Sequence, residues 1–183
     1  MHRLKSIPTV ERTAVSMIAV VVAMAAILLL PAAPAQAGGG IGTSAAPAGK
    51  AGKAKLRNGK AIPPAGAPKR VVRAIKAANR IRKTKYVWGG GHGSFESRGY
   101  DCSGAVSYML HGAGMLRSPL TSGSLAHWGK KKRGKWITVY ANSGHTYAMV
   151  AGLRWDTSGG PGPRWHKSKR SRAGFKVRHY KGY

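Results

Sequence analysis

One cysteine, Cys102, and four acidic residues, Glu11, Glu96, Asp101 and Asp156, are all that the 183-residue chain holds of these types. A single cysteine excludes an intramolecular disulfide framework. One thiol, few carboxylates and no close pair of histidines also leave too few ligands at short spacing for a zinc centre. Against the four acids stand 32 lysines and arginines, a formal net charge of +28. That imbalance directs the chain to anionic surroundings: nucleic acid, anionic lipid, or the phosphate- and carboxylate-bearing polymers of a cell wall. Charge alone does not choose among them.

Long apolar runs are scarce too. The one that stands out, residues 14–30, follows Arg3, Lys5 and Arg12 and precedes PAQA, with Ala35 and Ala37 as small residues. This is the layout of an export signal over residues 1–37. The run is long for a signal and short for a membrane span, so a cleaved signal peptide is preferred to a retained anchor. Either reading places the rest outside the cytoplasm, secreted or associated with the cell wall. Residues 38–68 are rich in Gly, Ala, Pro and Lys and almost free of large apolar side chains. They are predicted to form a flexible basic linker. Residues 69–183 suffice for one domain with its own core.

Within that domain, Val71, Val72, Ile75, Ala78 and Ile81 recur at helical spacing, which predicts a helix over 69–83. YVWGGGHGSF follows, and Gly89, Gly90 and Gly91 interrupt regular structure. A second helix is predicted from Asp101 or Cys102 to Ala113. Asp101 is its N-cap, Val106, Met109, Leu110 and Ala113 form its apolar stripe, and Gly114 occupies its C′ position. WITVYA, HTYAMVAG, LRWDT and FKVRHY then read as strands. Helices followed by antiparallel strands make an α+β fold.

An unpaired thiol at a helix start has a chemical use. Thiolate is the nucleophile, and a free thiol with a pKa of about 8.5 is little ionised at neutral pH. A helix N-terminus offers unpaired N–H groups and partial positive charge, which favour thiolate and can stabilise a developing oxyanion. Such a nucleophile needs a base and a group to orient it. His145 opens a strand after Asn142, Ser143 and Gly144. If a two-residue loop at Ala151-Gly152 joins the next strand, Asp156 faces Tyr147 and becomes the diagonal neighbour of His145 on one sheet face. His92 can approach the same site but has no orienting partner in sequence. His111 points away from Cys102 around the helix, and His127, His166 and His179 read as structural or surface residues. A buried, packing cysteine and an intermolecular disulfide or lipid attachment are the competing readings of Cys102.

YVWGGG, then YDCSG opening a helix, then GH heading a strand, resembles the NlpC-type cell-wall peptidases across most of the region after residue 70. The resemblance implies a papain-like fold, with N-terminal helices, including the one that carries the nucleophile, packed on an antiparallel β-sheet. It implies a cysteine endopeptidase that cleaves amide bonds in peptidoglycan stem peptides through a thioester, with no cofactor. Cys102 matches the nucleophile and His145 the base. Asp156 matches a polar third residue that in many relatives is His, Asn or Gln. Tyr86, Asp101 and Ser103 match positions that line the substrate cleft. The partners implied are peptidoglycan peptides and anionic cell-wall polymers, with no specific nucleic acid. The rival reading is a secreted polycation that binds nucleic acid or anionic glycan without catalysis. Acyl transfer in place of hydrolysis stays open.

Overall fold

The computed structural model describes residues 51–183. The export signal expected over 1–37 and the first part of the linker, 38–50, lie outside the described residues. The rest of the expected linker is folded, which corrects the sequence reading. Strands β1 (Lys55–Arg57) and β2 (Lys60–Ile62) form a hairpin. Its turn, Asn58-Gly59, has positive φ at both residues, as a type I′ turn requires. The hairpin is anchored by hydrogen bonds more than by apolar burial. Asn79, on helix α1 (Lys69–Ile81), accepts from the Ala61 amide at 3.0 Å and donates to the Ala61 carbonyl at 2.8 Å. Its Oδ1 also accepts from Trp165 Nε1 at 2.9 Å. A polar strand held in this way leaves no hydrophobic pattern in the sequence.

Val71, Ala74, Ile75, Ala78 and Ile81 bury one face of α1, while Lys76 and Arg80 face solvent. Helix α2 (Cys102–Gly112) is buried without interruption from Cys102 to Leu110. It packs against α1 through small residues: a Cβ on Gly112 would come within 2.4 Å of the Ala77 Cβ. Asp101 caps α2 by accepting from the Gly104 amide at 2.7 Å, and Gly114, at φ +68°, ends it. The helix boundaries follow the sequence reading closely.

A short helix, α3 (Ser122–Leu125), leads into the sheet strands β3 (Lys130–Lys131), β4 (Ile137–Ala141), β5 (Thr146–Val150), β6 (Leu153–Asp156), β7 (Arg164–His166) and β8 (Lys176–His179). The sheet order is β3-β8-β4-β5-β6-β7, and every pair is antiparallel. This is the α+β architecture of helices packed on an antiparallel sheet. The turn at Ala151-Gly152 has φ +44° and +85° and pairs Val150 with Leu153 and Ala148 with Trp155, the register expected of a two-residue loop. Three sheet-region elements were not foreseen: α3, β7, and the edge strand β3 inside KKKRGK. Lysines on such an edge discourage pairing with another chain.

Side chains alternate across the sheet. Ile137, Val139, Ala148, Val150, Leu153 and Trp155 join the core shared with α1 and α2. Trp155 Nε1 donates to the Ala105 carbonyl at 3.1 Å and fastens the sheet to α2. Tyr140, Tyr147, Met149, Arg154 and Asp156 alternate onto the other face. The Tyr140 and Tyr147 rings stack there at 4.8 Å.

Replacing Asn79 removes three hydrogen bonds and strands their partly buried partners. Asn79→Ala is expected to cost roughly 2–4 kcal/mol in urea unfolding and to speed hydrogen exchange at the Ala61 amide. Unchanged stability would show that the hairpin is a passive appendage.

Candidate active site

Cys102 is the first residue of α2 and is 8% exposed. The glycine loop explains its surroundings. A Cβ on Gly104 would lie 2.0 Å from the Gly90 carbonyl oxygen, so the loop backbone rests directly on the first turn of α2. Gly91, at φ +86°, turns the chain there. The Asp101 amide donates to the Gly90 carbonyl at 3.2 Å, and the Gly89 amide returns to Asp101 Oδ2 at 3.2 Å. YVWGGG and YDCSG are therefore one stitched unit around the thiol.

His145 is placed by an Asx turn: Asn142 Oδ1 accepts from the Gly144 amide at 3.0 Å and the His145 amide at 2.8 Å. Its Nε2 donates to Asp156 Oδ1 at 3.0 Å. Asp156 is buried, and its two oxygens serve several partners. Oδ1 accepts from the Ser158 amide at 3.0 Å and the Ser158 hydroxyl at 2.9 Å. Oδ2 accepts from Arg170 at 3.3 Å. Arg154 Nε lies 3.3 Å from Oδ2 without hydrogen-bond alignment, so that contact is charge against charge.

These contacts set the protonation states. The hydrogen bond to Asp156, then the Cys102 thiol, raises the His145 pKa to about 9. Burial pushes the Asp156 carboxyl upward, but hydrogen bonds from His145 and Ser158 outweigh it and hold the group well below its usual range. With Nε2 committed to Asp156, the other ring nitrogen, Nδ1, is left for the Cys102 thiol. The arrangement can hold an imidazolium for a neighbouring nucleophile, present its proton to a leaving group, and keep the ring oriented throughout.

The three positions matched to a substrate cleft differ from one another. Tyr86 is 41% exposed, and burial followed by the charges of Cys102 and Asp101 raises its phenol pKa. Asp101 and Ser103 are instead buried, at 5% and 2% exposure. Asp101 is occupied by the Gly104 and Gly89 amides, and the Ser103 hydroxyl donates to Asp101 Oδ1 at 3.1 Å. Neither offers a free surface to a substrate. Both hold the loop and the helix start.

Two further residues belong to the site. His92 Nε2 lies 2.9 Å from Asp101 Oδ2 and 2.9 Å from Ser103 Oγ. Its orienting partner is thus the helix cap, a dual role the spacing did not signal. Arg170 carries no sequence signal beyond a basic run, yet its guanidinium reaches Asp156 and Ser158 and lies 5.7 Å from the ring centres of both Tyr147 and Phe175. His111 and His127 are exposed, and His111 stacks on Phe95 at 3.8 Å. His179 Nδ1 meets the Lys132 carbonyl at 3.1 Å. Among the described residues no cluster of three or more His, Cys, Asp or Glu is placed to hold a metal ion.

No protein-family model and no curated protein matches the chain. Solved structures do. The peptidoglycan hydrolase RipB from Mycobacterium tuberculosis is similar at 25% identity and a TM-score of 0.52, over 67% of this chain and 70% of RipB. A hypothetical invasion protein of the same organism is similar at 25% identity and a TM-score of 0.49, over 74% of this chain and 71% of the other. RipD, also of that organism and described as a non-catalytic NlpC/p60 domain protein adapted to peptidoglycan binding, is similar at 19% identity and a TM-score of 0.46, over 62% of this chain and 98% of RipD.

The shifted pKa values make stability depend on pH. The folded pKa of His145, about 9, exceeds its ordinary 6.5, so its contribution is complete below pH 6.5 and is lost as pH rises through 9. Asp156 lies below its ordinary 3.8, so its contribution is complete above that pH and is lost on further acidification. Urea unfolding of the wild type is expected to weaken between pH 6 and 9.5, and Asp156→Asn should flatten that decline. The variant should also be less stable at pH 6 by about 3 kcal/mol, because Arg154 and Arg170 lose their counter-charge. Parallel pH profiles for the two proteins would contradict the pairing.

Proposed function

Since the chain has the fold of the NlpC-type cell-wall peptidases, we propose that it is a thiol-dependent hydrolase of amide bonds in peptidoglycan stem peptides. The observation that carries this reading is the His145 ring bonded at 3.0 Å to buried Asp156, a ring whose pKa the Cys102 thiol at the start of α2 helps to raise. Cys102 thiolate attacks the scissile carbonyl. Unpaired N–H groups of the first turn of α2 face the oxyanion that develops. His145 gives its proton to the leaving amine, and a thioester remains. The neutral ring then removes a proton from water, the thioester is hydrolysed, and the carboxylate product leaves with the thiolate–imidazolium pair restored. Asp156 holds the ring and stabilises its charge without taking the proton. Tyr86, exposed, is assigned to contact the substrate.

The export signal read over 1–37 and the net charge of +28 support action outside the cytoplasm, on the anionic polymers of a cell wall. The same charge favours the second reading, a wall-binding protein without catalysis.

Digestion of purified peptidoglycan distinguishes them. Cys102→Ala and His145→Ala are expected to lower cleavage by on the order of 10⁴-fold, while His127→Ala, an exposed histidine outside the site, should cleave like the wild type. The alkaline limb of kcat/KM should fall near pH 9, where the imidazolium is lost, and move to lower pH in Asp156→Asn. Release of no peptide from any wall chemistry, with binding retained, would leave the binding reading in its place.

A further inference from the structure

The segment after β7, KSKRSRAG over 167–174, crosses the sheet face that carries Tyr140, Tyr147 and Asp156. It is tied down along its length. The Tyr147 hydroxyl donates to the Ser171 carbonyl at 3.3 Å, Asn142 Nδ2 donates to the Gly174 carbonyl at 3.2 Å, and Arg170 reaches Asp156 at 3.3 Å. Between this strap and the sheet lies a cavity of about 280 Å³, lined by Arg133, Lys169, Arg170, Arg172, Tyr140 and Tyr147 among others. A second depression of about 470 Å³ shares Arg133, Met149 and Lys169 with it and adds Lys53, Lys135 and Lys167. Through these shared residues the two make one trough, and Arg170, which lines it, lies 3.5 Å from His145 Nε2.

The charge along this trough is unbalanced. No acidic side chain lines either part. The nearest carboxylate, Asp156, is buried and already committed to His145, Ser158 and Arg170. Among the described residues Arg133, Lys169 and Arg172 pair with no carboxylate. Cations gathered in a concave site repel one another, and the site concentrates the field that attracts an anionic ligand. The cations line two compartments that share part of their walls, which suits a ligand with repeated charges.

We propose that this trough is a subsite for a linear polyanion bearing phosphodiester or carboxylate groups, and, resting on the hydrolase reading above, that it seats the wall polymer beside the scissile peptide. Single-stranded nucleic acid fits less well. Stacking platforms need open aromatic faces. Here the Tyr140 and Tyr147 rings cover each other at 4.8 Å, and Phe175 and Arg170 crowd Tyr147 at 5.2 and 5.7 Å.

The test is calorimetric titration of the full-length chain carrying Cys102→Ala, so that nothing turns over. The probes are an oligo(glycerol phosphate), an oligo-γ-glutamate and a single-stranded DNA oligonucleotide of equal charge. A trough variant, Arg133→Gln/Lys169→Gln/Arg172→Gln, is compared with a control of the same net charge, Lys60→Gln/Lys76→Gln/Arg80→Gln. All six positions are exposed, so both variants keep the fold. The trough variant is expected to lose tenfold or more in affinity for the glycerol phosphate or glutamate oligomer, and the control less than twofold. Tighter binding of the first assigns phosphodiester, and of the second carboxylate. Equal losses in both variants, or none in either, would overturn the trough; DNA bound most tightly would overturn the choice of polymer. Hydrolysis assays keep the two proposals apart. Trough-dependent binding without any hydrolysis would sink the hydrolase reading alone, and hydrolysis with binding indifferent to the trough variant would sink the trough alone.

Discussion

A carboxylate with no exposed side-chain surface, Asp156, is the constraint on which the rest of the site depends. A buried charge is costly unless it is paired and hydrogen-bonded on all sides. Here the partners come from separate parts of the chain: His145 ahead of β5, Arg154 on β6, Ser158 just past β6, and Arg170 on the strap. Meeting the needs of one carboxylate therefore fixes the ring of His145, the end of the β5–β6 hairpin and the path of the strap. It also fixes the proton on Nε2 and leaves Nδ1 free for a thiol.

The scarcity of acids sharpens this arrangement. Residues 51–183 contain Glu96, Asp101 and Asp156 only, and the two aspartates are each bonded to a histidine, at 2.9 and 3.0 Å. Asp101 ties His92 and the glycine loop to the start of α2, and Asp156 ties His145 to the sheet. Cys102 directly follows Asp101 at the start of α2. Elsewhere the surface cations have almost no carboxylates to neutralise them, so the positive field reaches solvent undiminished except by salt. The basic trough under the strap is the local form of that imbalance.

Much of this was legible before any coordinates. Apolar spacing marked α1 and α2, because each packs one stripe or more against a core. Two turn residues at Ala151-Gly152 set the β5–β6 register, and the register placed Asp156 diagonal to His145. The hairpin β1–β2 was illegible, because the Asn79 side chain anchors a strand with little apolar content. The two-residue strand β3 and the three-residue strand β7 were too short to show a period. Asp101 and Ser103, which the resemblance assigns to the cleft, are buried and bonded to each other and to His92.

Local chemistry along the chain was enough to determine the lone thiol at a helix start, the hairpin that pairs His145 with Asp156, the α+β order and the excess of positive charge. These rest on nearest neighbours, backbone periodicity and composition, which a linear string contains. Tertiary structure alone decided that His92 meets Asp101, that Arg170 reaches Asp156 from a distant strap, and that basic residues separated along the chain line one trough. Those contacts are made by long side chains across separate elements, and their geometry exists only once the sheet has folded and the strap has crossed it.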